Sequence, residues 1–362
     1  MVEPGLARAG CGLRGGRGHA HPPAFMGRKL RWLVFALGLV VLALLVAHVG
    51  VQTIVSDAAR VGRFIVLIVL VYLPVYALNA LAWRMTMAST GARQRPSYRR
   101  TLGLLISGFS LNYLTPVLAL GGEPFRIASI APWLGRRRAV ASVASYFLLH
   151  ALANVLIWLT ALFVALAVAP WPTAIRIAVG VLTLGLLGAV AIVFRGLRRG
   201  VFEDLLDVGN RIPLVRRLVG RANHRRAALA RIDAHMAAFY AASPPRFFAA
   251  LALEYVARAI SMAEFWLIFL GLGVKAGYLD AFVMGALTSL IMNVVFFVPL
   301  EVGTKEGALF VLAGALGLPF GTGVTTSLIS RVREIIWAGV GVALVPLVGV
   351  RRAREHRPAR AR

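Results

Sequence analysis

Glu123 and Arg126 stand three residues apart in "NYLTPVLALGGEPFR" (residues 112–126), directly after a long apolar run. A carboxylate accepts protons or hydroxyl and cationic groups, whereas a guanidinium takes phosphate or carboxylate oxygens through two parallel donors. Either charge at the centre of a membrane-spanning helix costs roughly 2.5–3.5 kcal/mol on insertion scales. Their presence therefore points to a ligand pathway, or to an ion pair that staples the backbone one turn apart. Glu306 closes a second such stretch, "NVVFFVPLEVGTKE" (residues 293–306). Arg331, Arg333 and Glu334 lie early in the last apolar segment, with Arg331 and Glu334 on one face at i, i+3. An arginine there suits a phosphate; snorkelling to a nearby interface explains the same residues. Glu254 and Arg258, at i, i+4, are expected to pair within their helix, and Glu264, with no local partner, to face a cavity or another helix. His150 and Asn154 share a face, where a hydrogen-bonded interhelical histidine competes with one that titrates near neutral pH. Asn79 and His48 are read as packing residues.

The elements that must position these groups are membrane helices. The 362 residues are 59% hydrophobic and 15% charged, with a mean hydropathy of +0.78, too apolar for a soluble domain of this size. Windows of about 20 apolar residues read as spanning helices at 32–50, 61–82, 139–169, 173–194, 247–271 and 322–349. Two more, 101–120 and 281–299, are interrupted by polar residues and proline. The expected fold is an all-α polytopic membrane protein with about six transmembrane helices and two broken, re-entrant helical hairpins.

The net charge of +26 raises the possibility of nucleic-acid binding, but its arginines lie between the helices and at the two ends, where Lys and Arg mark cytoplasmic loops and meet anionic headgroups. Nucleic acid is not an expected partner. Cys11 is the only cysteine, so no internal disulfide and no cysteine-based metal site can form. The sequence contains no P-loop, HExxH or DxD-like cluster; no cofactor and no metal is expected, and the chain reads as a non-enzyme.

Residues 1–27 read as a disordered basic tail, with Met26 an ordinary membrane-protein start and the first apolar run an uncleaved signal anchor. Arg28, Lys29 and Arg31 place the N-terminus inside; 51–60 is then an outer loop, and the basic segments 84–100 and 196–246 are cytoplasmic. Residues 28–350 form one transmembrane domain and 351–362 a basic tail, also cytoplasmic. Within 196–246, Leu229, Ile232, Met236 and Phe239 recur at helical spacing opposite Arg225, Arg226 and Arg231, fitting an interfacial helix or a linker helix packed on the protein's own underside.

Arg136, Arg137 and Arg138 stay inside only if 101–135 enters and leaves on the same face, broken at Pro116 and Gly121–Gly122. Asn112 precedes Pro116, and Glu123 follows that proline by seven residues; Asn293 precedes Pro299, and Glu306 follows by seven, with Gly303 in the break. The charge rule puts the hairpins on opposite faces, making 30–170 and 173–349 inverted copies, as in many secondary transporters.

"GGEPFR", "VPLEVGTKEGALFVLAGALGL" and "SLISRVREIIWAGVGVAL" resemble the transmembrane region of lysylphosphatidylglycerol synthases and the stand-alone flippase-like proteins related to it, over about residues 30–350. "SMAEFWLIFLGLG" looks most like the branch associated with hopanoid biosynthesis. The resemblance implies a bacterial inner-membrane protein that translocates lipid. Many members carry a Pro-Gly-Gly-type turn where "PLEVGTKEG" puts Glu301 and Lys305 here, and charged residues where His150 stands. The synthases append an aminoacyl-transfer domain, which this sequence is expected to lack. The expected substrate-binding set is Glu123, Arg126, Glu306, Arg331, Arg333, Glu334, Glu254, Arg258 and Glu264, acting on anionic lipid headgroups. A lipid-modifying enzyme with Glu123 and Glu306 as its acid/base pair is the first alternative; a scaffold partnering lipid-biosynthesis proteins is the second.

Overall fold

The computed structural model describes residues 50–114, 121–168, 171–199, 243–295, 301, 303–319 and 321–349, with Val40, Leu44, Ala47, Ala237 and residues 239–241 as isolated positions. The tail 1–27 with Cys11, the cations Arg28, Lys29 and Arg31, His48 and most of the first span lie outside the described residues. So do Pro116, Pro299, the pattern at Leu229, Ile232 and Met236 with its arginines, and the tail 351–362.

The described elements are α1 (Val51–Val61), a 3-10 turn (Gly62–Phe64), α2 (Ile65–Leu70), α3 (Tyr72–Ser89), α4 (Tyr98–Leu114), α5 (Gly122–Leu134) and α6 (Arg136–Val168). They continue with α7 (Thr173–Arg199), α8 (Pro244–Leu272), α9 (Tyr278–Val294), α10 (Thr304–Ala315) and α11 (Thr322–Val348). No strand occurs among the described residues. Four stretches are long and apolar enough to cross a membrane: Val51–Ser89, Arg136–Ala167, Thr173–Ile192 and Pro244–Leu272. The fold is thus an all-α membrane protein. α7 shows why such a chain needs lipid: Ile177, Val181 and Leu184 lie on it fully out from the protein's own core.

Local sequence explains the boundaries. Two prolines open α8, where the first turn has no use for their missing N–H groups. Gly273 closes it at φ 71°, letting Val274 N–H reach back to the Phe269 carbonyl at 2.9 Å. The outer loop expected at 51–60 is instead α1. Val51 and Val55 are exposed apolar residues on it, while Asp57 and Arg60 pair at 3.7 Å one turn apart. Its few polar residues decorate a helix that buries Val61 against α8, rather than marking a break.

The two interrupted segments each form a helix, a break and a second helix: α4 with α5, and α9 with α10. The long helix α6 packs against α5 of the first pair and α9 of the second, and α8 lies against α9, α3 and α6. One core gathers Trp83, Leu104, Ile130, Leu149, Phe247 and Leu251 around the first unit. Another gathers Ile157, Leu162, Phe265, Phe269, Met284 and Leu309 around the second. α11 lies against α4, where Ser107 Oγ donates to the Gly341 carbonyl at 3.0 Å and Ser110 Oγ to that of Trp337 at 3.2 Å. On α8, Glu254 and Arg258 fall in sequence between the two cores, while His150 of α6 lies within the first core's stretch and Glu264 within the second's.

Candidate functional site

Asn112, near the end of α4, organises the first break. Its Oδ1 accepts the Gly122 N–H at 2.6 Å and its Nδ2 donates to Glu123 Oε1 at 3.0 Å, so a side chain from one arm serves the free amide groups that open the other. Glu123 sits in the first turn of α5, where the helix dipole favours an anion. Arg126 lies 3.6 Å from Glu123 and donates to the Leu105 carbonyl at 3.2 Å. Its guanidinium lies 5.8 Å from the Trp83 ring centre and crosses the bare backbone of Gly108, where a Cβ would collide with it. Arg126 Nε and Glu123 Oε2 have no hydrogen-bond partner among the described residues. Asn112→Ala is expected to cost about 1 kcal/mol, as for loss of a helix cap, measured as a shift in the unfolding midpoint in detergent.

Glu306 holds the corresponding first-turn position of α10 but is fully committed. It accepts from Gly303 N–H at 2.8 Å, Ser327 Oγ at 3.0 Å and Arg331 Nε at 2.7 Å, with no exposed surface. Gly303 turns at φ 77° to permit that cap. Asn293 does not repeat the role of Asn112: it is exposed and donates to the Ser289 carbonyl of its own helix at 2.9 Å.

Arg333 and Glu264 join α11 to α8 by two parallel bonds, Nε to Oε1 at 3.0 Å and Nη2 to Oε2 at 2.7 Å. Tyr72 from α3 donates to Glu264 at 2.8 Å, and its ring lies 4.0 Å beneath the guanidinium. Lys305 Nζ meets Glu334 at 2.6 Å, and Arg333 Nη2 lies 3.6 Å from the same oxygen. Arg331 and Glu334 therefore go to different partners rather than to each other. Likewise Glu254 and Arg258 both engage His150 of α6: His150 Nδ1 lies 2.6 Å from Glu254 Oε2, and Arg258 Nη2 donates to Nε2.

These groups surround a cavity of about 500 Å³. The first helical pair contributes Leu105, Phe109, Asn112, Glu123 and Arg126; the second contributes Thr288, Ser289, Asn293 and Lys305. His150 and Arg258 border it, as do Glu264, Arg333 and Glu334. Exposed Phe147, Asn293 and Glu301 in the lining bring it to the surface. Of the expected set, Glu123, Arg126, Arg258, Glu264, Arg333 and Glu334 line the cavity. Glu254, Glu306 and Arg331 do not. Gly121, Gly122 and Gly303 shape the breaks without lining it. Sequence reasoning did not select Tyr72, Tyr76 or Ser261 and assigned Asn79 to packing, although all four border the cavity; a polar group inside an apolar helix was the only signal for Asn79. Among the described residues no three His, Cys, Asp or Glu side chains gather as metal ligands.

The family model of the lysylphosphatidylglycerol synthase TM region matches residues 31–342. No curated protein and no solved structure matches the chain. With most of its length covered, the chain belongs to the lysylphosphatidylglycerol synthase TM-region family.

Proposed function

We propose that this member of the lysylphosphatidylglycerol synthase TM-region family translocates a membrane lipid, its headgroup passing through the cavity between the two broken helical pairs while the tails stay in surrounding lipid. The observation that carries the reading is a cavity of about 500 Å³ bordered by both pairs and carrying charged side chains in an otherwise apolar lining, beside which the buried Arg126 Nε and Glu123 Oε2 have no hydrogen-bond partner among the described residues. Arg126 receives the anionic part of the headgroup and Glu123 a hydroxyl or cationic part. The acid/base alternative needs Glu123 and Glu306 to converge on one substrate; Glu306 instead caps α10 and binds Arg331. The reading takes residues 28–350 as one transmembrane unit in a bacterial inner membrane, with halves in inverted orientation and both termini cytoplasmic.

The test is translocation of fluorescent and native lipids in proteoliposomes, comparing the wild type with Arg126→Ala and Glu123→Gln after both variants are shown to fold. The expected result is a fall of about tenfold or more in rate for each variant, the loss of one charge-assisted contact amounting to about 1.5–3 kcal/mol. Wild-type protein that moves no lipid across a panel including hopanoids and aminoacylated phospholipids overturns the reading, as do variants that transport at the wild-type rate.

A further inference from the structure

We infer that His150 is a proton-binding site whose occupancy decides whether Arg258 is available to an anionic headgroup, so that proton and anionic lipid are taken up together. The inference rests on the transport reading above and adds to it a co-substrate.

Geometry fixes the protonation of the imidazole. Arg258 can only donate, so His150 Nε2, which faces Arg258 Nη2, carries no proton. The remaining nitrogen, Nδ1, lies 2.6 Å from Glu254 Oε2 and donates to that carboxylate. The ring is therefore neutral and fills the space between an anion and a cation. Glu254 has no exposed surface, and its Oε1 has no partner among the described residues. It is a buried anion with spare capacity to hold an imidazolium.

His150 keeps 28% of its side chain exposed and borders the cavity, so a proton can reach it from there. When Nε2 takes that proton, its lone pair is no longer an acceptor and an N–H⁺ confronts a guanidinium. Glu254 holds the imidazolium, and Arg258 turns into the cavity it already lines. Its Nε is without a partner among the described residues, as is that of Arg126. Both guanidiniums line the same cavity as Tyr146 and His150, so they belong to one neighbourhood. Released Arg258 then joins Arg126 and its neighbour Glu123 in the cavity, and the one positive charge added by the proton is neutralised by an anionic headgroup.

The charged and titratable groups facing this neighbourhood are few. α8 brings Glu254, Arg258 and Glu264; α5 brings Glu123 and Arg126; α3 brings Tyr72 and Tyr76; α11 brings Arg333 and Glu334 on the far wall; Lys305 and Glu301 complete the lining. α6 itself adds Tyr146. α9 contributes only hydroxyl, amide, thioether and backbone groups, and α7 none of the described lining. Glu264 and Arg333 satisfy each other, as do Lys305 and Glu334, leaving His150 as the group whose titration changes what Arg258 can do. By linkage, each ligand tightens the other by the same factor. Lipid affinity rises as pH falls through the His150 transition and is low above it, where Arg258 stays on the neutral ring.

The experiment is calorimetric titration of the full chain in detergent with dihexanoyl phosphatidylglycerol, at about pH 4.5 and about pH 8, a span wide enough to enclose the transition of a histidine in this setting. Two buffers of different ionisation enthalpy count the protons taken up. The expected result is binding about tenfold tighter at the lower pH, within the usual range of a coupling between sites. Close to one proton is taken up per lipid near the midpoint, and none with dihexanoyl phosphatidylcholine. His150→Gln binds with one affinity at both pH values and takes up no proton; the wild-type proton count stands without this variant should it fail to fold. Wild-type binding without proton uptake, or His150→Gln with the pH dependence intact, overturns the inference and leaves lipid transport standing. Absence of lipid binding, together with absence of translocation in vesicles, removes both.

Discussion

Arg333→Met is expected to destabilise the folded chain by about 3–5 kcal/mol, the cost of leaving one member of a buried ion pair without the other. Glu264 is 1% exposed and Arg333 6%. Once the guanidinium is gone, the carboxylate keeps only the Tyr72 hydroxyl, and Glu334 loses one of its two neighbouring cations. Glu264→Gln alone is milder, because the amide still accepts one bond from Arg333. The paired change Glu264→Leu with Arg333→Met removes both charges and restores most of the lost stability, since a buried pair replaced by apolar groups of similar volume is often neutral or better. Unfolding midpoints in detergent measure all three. An Arg333→Met cost under about 1 kcal/mol, the range of an exposed pair, would show that water reaches these groups.

Gly323→Ala is expected to cost about 1–3 kcal/mol or more, the usual penalty for overpacking. A Cβ at Gly323 runs into the Leu309 carbonyl and the Phe310 amide nitrogen, backbone atoms that cannot rotate away, so α10 and α11 must separate. Gly341→Ala meets the mobile Ser110 hydroxyl first, but also the Ile106 carbonyl at 2.6 Å, and parts α11 from α4. Gly285→Ala meets the Met262 thioether and the Phe265 ring, side chains that can give way, and costs less. Gly307, Gly314 and Gly339 have open space where the methyl would go; alanine there is neutral or stabilising by up to about 1 kcal/mol through helix propensity. A thermal-unfolding series that ranks these substitutions otherwise would refute close backbone approach as the glue of this bundle.

The broken helices were legible because proline, glycine and a carboxylate interrupt apolar runs in only a few places, and the structure ends α4 and α9 where those interruptions begin. Helix starts at Thr173, Pro244 and Thr322 fall close to those read from hydropathy, because a helix in lipid is bounded by where apolar residues stop, although only the first two helices are among the four stretches apolar enough to cross a membrane. α1 was missed because Gln52, Asp57 and Arg60 look like loop residues when counted, and like one face of a helix only when their spacing is weighed. Partner choice was the least legible feature. Glu264 meets Arg333 across 69 residues of sequence and His150 meets Arg258 across 108, and no local rule links them. The matched spacing of Glu123 and Glu306 after their prolines reflects a shared place in the first turn of a second helix. Glu306 caps its own helix, whereas the cap of Glu123's helix comes from Asn112, and of the two carboxylates only Glu123 keeps an oxygen free of hydrogen bonds.

The cavity wall has an electrical consequence. Among the described lining residues, Arg126, Arg258, Lys305 and Arg333 face Glu123, Glu264, Glu301 and Glu334, and His150 is neutral when empty of its extra proton. Behind them the buried Glu254 carboxylate backs His150, so the empty site carries one net negative charge, on which a membrane potential acts with about 2.3 kcal/mol per charge per 100 mV. In the proposed cycle a singly anionic headgroup travels with one proton, so the transported pair is neutral and loading leaves the charge of the site unchanged. Voltage clamped across a vesicle would then leave the final distribution of lipid unchanged, while an imposed proton gradient would set its direction.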